Sequence, residues 1–316
     1  MNKRRLFLNQ LSLMAGAAVL SNPIAAAASL SKKLNSVNSA GKNVTVYHTN
    51  DLHGNIDPAV SNAGGLNQVK KLIDREDVNG LLFDAGGFLN SAHSPAQQKD
   101  MIYAMNNMGY IAATLGNHEL CHGEEALARL VPLMKFELVN CNYQFNGELN
   151  KLVKPYTIVY SGKYKIGITG VGHQIKGVKY NDAIQSANYT ARILKEQEKC
   201  DLVICLAHLG HTQEDDLPDN QKLAKQSAHI DLIIGGHNQK LLVGPVIKLN
   251  KLKQEVIISQ AAWDGLMMGK VVFSFENNKQ KSYIRGKNCI AGDLCPQTQG
   301  ASFNDLRAIE KLLVSA

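Results

Sequence analysis

The sequence predicts an α/β layered domain with a second, mixed sheet. Short apolar runs alternate with helix-period patterns along the chain, and this alternation is the signature of stacked strand and helix layers. The later strands come with fewer helices, which calls for a second sheet. Polar, glycine-flanked motifs follow the strands, and in such domains ligands collect at the carboxyl ends of strands.

In order, Val44–His48 reads as a strand, and Leu66–Arg75 as a helix with Leu66, Val69, Leu72 and Ile73 on one face. Leu81–Asp84 is a strand ending in Gly86-Gly87, Ala96–Met108 a helix, Ala112–Leu115 a strand and Glu124–Leu133 a helix. Tyr156–Val159 and Lys165–Val171 form a hairpin around Ser161-Gly162. Then come a helix over Tyr189–Lys199, a strand over Leu202–Ala207, a short helix over Gln221–Gln226 and a strand over Asp231–Ile234. Val246–Lys248, Val256–Ser259 and Lys270–Phe275 are late strands, and an amphipathic helix is expected near Asn304–Leu313.

The chain has 316 residues, 45% of them hydrophobic and 19% charged, which is ordinary for a folded protein and excludes collagen-like or disordered classes. Residues 1–28 read as an export signal. Lys3-Arg4-Arg5 precedes a modest apolar stretch from Leu11 to Leu20, then small residues from Ala25 to Ala28. Arg4-Arg5 with Phe7 and Leu8 resembles a twin-arginine signal, so the expected location is the periplasm or cell exterior. Without Lys3, Arg4 and Arg5 the formal charge drops from +7 to +4. The lysines are scattered, so no nucleic-acid partner is expected, while a mild positive field favours an anionic substrate. Residues 29–42 read as a linker, and no later apolar run is long enough to span a bilayer. Of the six cysteines, Cys289 and Cys295 are the expected disulfide, and Cys200 and Cys205 are expected to be buried as small apolar residues. No C-x-x-C, P-loop or G-x-S-x-G occurs, and Trp263 reads as core packing.

Five motifs carry candidate chemistry: Asn50-Asp51-Leu52-His53-Gly54, Asp84-Ala85-Gly86-Gly87, Gly116-Asn117-His118-Glu119, Ala207-His208-Leu209-Gly210-His211 and Gly235-Gly236-His237-Asn238-Gln239. A single Asp-x-His or lone histidine is weak evidence, because most histidines are hydrogen-bonded structural residues. Five such motifs at successive strand ends are another matter. Carboxylate, amide and imidazole donors suit manganese, zinc, iron or magnesium, and the glycines let backbone approach closely.

This order of motifs resembles that of the calcineurin-like metallophosphoesterases. His48-Thr49-Asn50-Asp51-Leu52-His53-Gly54, Gly64-Gly65-Leu66, Asn140 and Leu206–His211 look like the 5′-nucleotidase branch. The resemblance implies a four-layer αββα sandwich over residues 43–280, followed by a tail over 281–316 with a terminal helix. It ends there, without the family's nucleotide-binding domain, which a separately encoded partner would supply. By position, Asp51, His53 and Gln239 would hold one divalent metal, and Asn117, His208 and His237 a second. His118 would stabilise the transition state or protonate the leaving oxygen, and Asn117 and His118 would meet the substrate. Two such metals polarise a phosphate and activate a water.

Two positions depart from the pattern. Gly87 stands where the family has the carboxylate that bridges both metals, and Cys121 where it has the aspartate that pairs with the catalytic histidine. Without the bridge, two cations repel with less screening, so weaker two-metal occupancy is expected, with one or two ions bound. Asp84 is expected to lie too far back to replace it, with Glu119 or His122 as candidates to compensate. The resemblance thus implies an exported phosphoesterase acting on nucleotides or related phosphate esters. The alternative is a catalytically degenerate relative that binds a metal or phosphate as a partner or scaffold.

Overall fold

The computed structural model describes residues 36–37, 41–58, 62–76, 78–214 and 216–292. The twin-arginine stretch, Cys295 with its expected disulfide, and the helix expected near Asn304 lie outside the described residues.

Two sheets stack face to face. One has seven strands and runs, edge to edge, Ser36–Val37, Tyr156–Ser161, Tyr164–Gly172, Leu202–His208, Leu232–Gly235, Glu255–Ser259 and Val246–Leu249. The other has six: Lys281–Ile290, Met267–Phe275, Asn43–Thr49, Leu81–Asp84, Ala112–Ala113 and Glu137–Leu138. The seven-stranded sheet is parallel from Tyr164–Gly172 to Glu255–Ser259, with antiparallel pairs on either side, and the six-stranded sheet is antiparallel from Lys281–Ile290 to Asn43–Thr49 and parallel from there to Glu137–Leu138.

Side-chain parity explains the layering. In Leu202–His208, Leu202, Ile204 and Leu206 enter the core between the sheets, while Val203, Cys205 and Ala207 face the opposite side. Helices Ala183–Arg192 and Asn220–Gln226 cover that outer face with Ala187, Leu223 and their neighbours. In Asn43–Thr49, Val44 and Val46 point inward, and Tyr47 points out against helices Leu66–Asp74 and Pro95–Met108. Strands buried on both faces read as continuous apolar runs. The architecture is therefore the αββα sandwich the resemblance implied.

The differences from the sequence reading have local causes. The helix expected at Tyr189 begins at Ala183, where Asp182 caps it by accepting the Gln185 N–H. Its buried face is Ala183, Ala187 and Ala191, too small to register as an apolar stripe. The helix from Glu124 stops at Leu130, and Pro132 turns the next residues into a 3₁₀ segment. Residues 281–290, assigned to the tail, pair with Met267–Phe275 as an edge strand of the domain. Its lysines and arginine, expected of a loop, keep an exposed edge soluble. Within the stretch read as linker, Ser36–Val37 pairs with Tyr160 and Ser161 at one edge of the seven-stranded sheet. Cys200 and Cys205 are buried, and Trp263 packs on the Ala261, Ala262 and Leu266 cluster, both as read.

One polar contact crosses the inter-sheet core. The fully buried His48 meets Ser259 Oγ of the other sheet through Nε2 at 2.7 Å. Gly269 makes room, since a Cβ there would lie 2.0 Å from that nitrogen. Burial drives the His48 pKa down to about 3. The unfolded chain therefore takes up a proton below about pH 6.5 that the folded one refuses, and stability falls as pH drops from there to about 3. His48→Gln, which keeps a partner for Ser259, should flatten this loss by up to about 1.4 kcal/mol per pH unit. Urea melts of both proteins at a series of pH values in that window measure the difference.

Candidate metal centre

Three neighbouring parallel strands of the seven-stranded sheet end at one edge. The register sets His208 beside Gly172 and Ala207 beside Gly235. The next residues out of these strands bring His173, His208 and His237 together, with ligand nitrogens within 4.8 Å of one another. The six-stranded sheet ends at the same edge with Asp51 and His53 after its Asn43–Thr49 strand. Gly86 and Gly87 follow Leu81–Asp84, and Asn117 and His118 follow Ala112–Ala113.

Asp51 joins the two sets. It is 1% exposed and sits in the left-handed region at φ 52. Its carboxylate accepts the His237 backbone N–H at 2.9 and 3.1 Å and the Asn50 amide at 2.8 Å, and lies 3.9 Å from His208 Nε2. Asn50 in turn clamps both backbone groups of Ala261. Burial raises the Asp51 pKa, partly offset by these hydrogen bonds.

His208 is buried, and its Nδ1 meets the Ala85 carbonyl at 2.9 Å, which leaves Nε2 as the lone-pair nitrogen. Glycine surrounds it. A Cβ at Gly116 would stand 2.5 Å from His208 Nε2, and one at Gly86 2.9 Å from Nδ1. His237 stacks on His173 with ring centroids 4.0 Å apart. Burial brings both His208 and His237 down to about 3 and lowers His173, so these rings are neutral near pH 7 and can donate lone pairs.

His53 Nδ1 bonds Asp264 Oδ1 at 2.7 Å. Burial works to lower the His53 pKa, but the Asp264 hydrogen bond and neighbouring carboxylates reverse this and leave it raised. A carboxylate on the far ring nitrogen is how proteins orient a metal-bound histidine. His118 lies 5.0 Å from His53, ring to ring. Its Nδ1 is buried without a hydrogen-bond partner, and burial lowers its pKa. Cys121, three residues on, is exposed and supplies no carboxylate.

At Gly87, φ is 74, and a Cβ would lie 3.0 Å from Asp51 Oδ1 and 3.1 Å from His208 Cε1. Position 87 thus faces the space between the two donor sets. The nearby carboxylates are committed elsewhere. Asp84 holds the Thr49 hydroxyl and the Gly86 N–H. Glu119 accepts backbone N–H groups from Gly87, Leu89 and Gly116 at 3.0, 2.8 and 2.7 Å. Glu119 therefore ties the two glycine loops together, and neither its role nor that of His122, which bonds the Ser91 carbonyl, is the compensation expected of them.

Asn117 opens a one-turn helix at the rim, half-buried. Gln239 is exposed at φ 44, with no hydrogen bond to the cluster among the described residues. His211 bonds Gln221 outside the cluster. Sequence reasoning missed His173 and Asp264. His173 follows Gly167–Gly172, which was read as hairpin packing, yet it too sits just past a strand end. Asp264 was passed over with Trp263, although its own N–H donates to the Asp51 carbonyl at 2.7 Å.

The donor set fits a cation. A buried carboxylate faces neutral imidazoles, and among the described residues no lysine or arginine pairs with it.

The calcineurin-like phosphoesterase family matches residues 44–240. The chain is 27% identical over 276 residues to the trifunctional nucleotide phosphoesterase YfkN of Bacillus subtilis, across 74% of this chain and 18% of that protein. It is 27% identical over 273 residues to a 5′-nucleotidase of Vibrio cholerae, across 75% of this chain and 49% of that one. The chain thus spans half or less of these relatives. In structure it matches a 5′-nucleotidase precursor from Thermus thermophilus, with TM-score 0.72 and 23% identity, over 86% of this chain and 59% of that one. It also matches a B. subtilis YfkN chain, with TM-score 0.64 and 23% identity, over 86% and 97%.

Glu119→Gln removes one of two acceptor oxygens serving three buried N–H groups. It should destabilise the fold by about 1–3 kcal/mol and loosen both glycine loops. Thermal denaturation reads the first effect and faster amide exchange at Gly87 and Gly116 the second.

Proposed function

The chain belongs to the calcineurin-like phosphoesterase family, and we propose that it is an exported, metal-dependent phosphoesterase acting on nucleotides or related phosphate esters. The observation that carries this is the meeting of Asp51, His53, His208 and His237 at one edge, with His118 5.0 Å from His53 at the rim. The nucleotide-directed names of the B. subtilis and V. cholerae relatives support the substrate class.

Asp51, His53 and Gln239 would hold one divalent ion, and Asn117, His208 and His237 a second. Such an ion, manganese, zinc, iron or magnesium, polarises a phosphoryl oxygen and makes a bound water acidic. The chain's own residues do the rest. Asp264 fixes the His53 ring, and the Ala85 carbonyl fixes His208. His118 stands where it can donate a proton to a departing oxygen, but its lowered pKa and unpartnered Nδ1 make it a weak acid catalyst near pH 7.

That same Nδ1, with glycine at 87, favours a second reading: a metal- or phosphate-binding partner without catalysis. Metal content measured together with hydrolysis of AMP and of bis(p-nitrophenyl) phosphate separates the two. Metal-dependent turnover supports the enzyme, and bound metal with no turnover supports the partner.

Export is proposed to use the twin-arginine route. Arg4→Lys with Arg5→Lys should abolish the mature extracytoplasmic form in fractionated cells, and undiminished export would assign the general secretory route. A further expectation concerns the departures from the family. Gly87→Asp should raise metal stoichiometry from about one toward two, despite a cost of about 1–2 kcal/mol for a side chain at positive φ. Adding Cys121→Asp should speed ester hydrolysis by supplying His118 with a carboxylate. Unchanged stoichiometry in a folded Gly87→Asp protein would sink the bridging role of this position.

A further inference from the structure

We propose that His173 is a metal ligand and that it forms, with His208 and His237, a three-imidazole site for a borderline divalent cation such as zinc or cobalt(II). In this reading the third imidazole stands in for the bridging carboxylate that position 87 lacks. The inference rests on the metal-binding reading above, but not on the phosphoesterase activity.

Placement is the first argument. The three histidines leave adjacent parallel strands of one sheet, fixed in register by backbone hydrogen bonds, so no loop has to fold over to assemble them. Their ligand nitrogens lie within 4.8 Å of one another, and they are the one such group of three among the described residues.

Orientation is the second. His208 Nδ1 faces the Ala85 carbonyl at 2.9 Å, and His173 Nδ1 faces the His208 carbonyl at 3.2 Å. A carbonyl accepts only, so both rings carry their proton on Nδ1 and present a bare Nε2. Pinning the far nitrogen to a backbone carbonyl is the outer-shell arrangement of metal-bound histidines. The His173 backbone N–H also donates to the His208 carbonyl at 3.1 Å, which ties the two ligands into one unit. His237 stacks on His173 with ring centroids 4.0 Å apart, so its ring has to turn for its in-plane lone pair to converge with the other two.

Chemistry is the third. Three neutral imidazoles favour zinc or cobalt(II) over magnesium, which prefers oxygen donors. Asp51, 3.9 Å from His208 Nε2, supplies a negative charge beside the site.

The test uses the mature protein stripped with a chelator and titrated with zinc or cobalt(II). Two substitutions of His173 keep the result interpretable, with circular dichroism confirming that both fold. His173→Ala removes ring and ligand. His173→Phe keeps an aromatic ring stacked on His237 but has no lone pair. Both should weaken zinc binding beyond the roughly 10–100-fold that loss of an outer-shell partner costs. Both should also change the visible absorption of the cobalt(II) form. His211→Ala, a histidine outside the cluster, should leave binding unchanged. If His208→Ala and His237→Ala lose the metal while both His173 variants bind like wild type, His173 is not a ligand and the proposal fails, with the metal reading intact. If His173→Phe restores what His173→Ala loses, the ring acts by stacking alone, and the proposal fails again. If wild type binds neither ion, the metal reading and this proposal fall together.

Discussion

The burial of the Asp51 carboxylate is the constraint on which the site depends. A charge that is almost wholly removed from water costs several kcal/mol unless it is hydrogen-bonded and paired. Asn50 and the His237 N–H supply the hydrogen bonds, but no lysine or arginine pairs with it among the described residues. Everything around Asp51 is arranged to keep it there. Asn50 locks the Ala261 backbone, Asp264 donates its N–H to the Asp51 carbonyl, and His237 is drawn across from the other sheet. The carboxylate thus helps couple two sheets whose shared core is apolar apart from contacts such as His48–Ser259.

Close packing of glycine against imidazole is the second constraint. Gly86 and Gly116 approach His208 so nearly that any side chain would displace it. Glu119 holds both glycine loops in place by accepting N–H groups from each. A carboxylate that might have served as a ligand is thereby a backbone clamp. The sequence suggested the ligand role because Glu119 sits beside Asn117 and His118, but its side chain points back into its own loop.

The inner strands were legible because both of their faces are buried. Residues 202–207 and 81–83 are apolar throughout, and composition alone marks them. Elements whose pattern is weak were misplaced. The alanine-faced helix from Ala183 has no large side chains to set a stripe, and the edge strand Lys281–Ile290 carries polar residues because one of its edges meets water. Asp51, His53, His118, His208 and His237 stand out as candidates in the sequence because each lies in a motif with glycine and a second polar residue. His173 has only glycine before it, and a lone histidine gives no such signal. What made it a candidate is its register beside His208, a relation between strands 35 residues apart in sequence that no local motif contains.

Charge decides what a glycine at position 87 does to such a site. With a carboxylate between the donor sets, two divalent cations would face two negative groups. With glycine there, two cations would face Asp51 alone, and their repulsion in a water-poor pocket is screened only by neutral rings. A third imidazole cannot restore the missing charge, but it can restore a missing bond. One cation held by three histidines beside Asp51 carries a net charge of about +1. The proposed substrate, an anionic phosphate ester, would be drawn to that charge, whereas a crowded pair of ions would first have to be held together. On the proposed ligand assignment, glycine at position 87 and the presence of His173 would be parts of one arrangement, in which the cluster of His173, His208 and His237 takes the cation while Gln239 stays exposed.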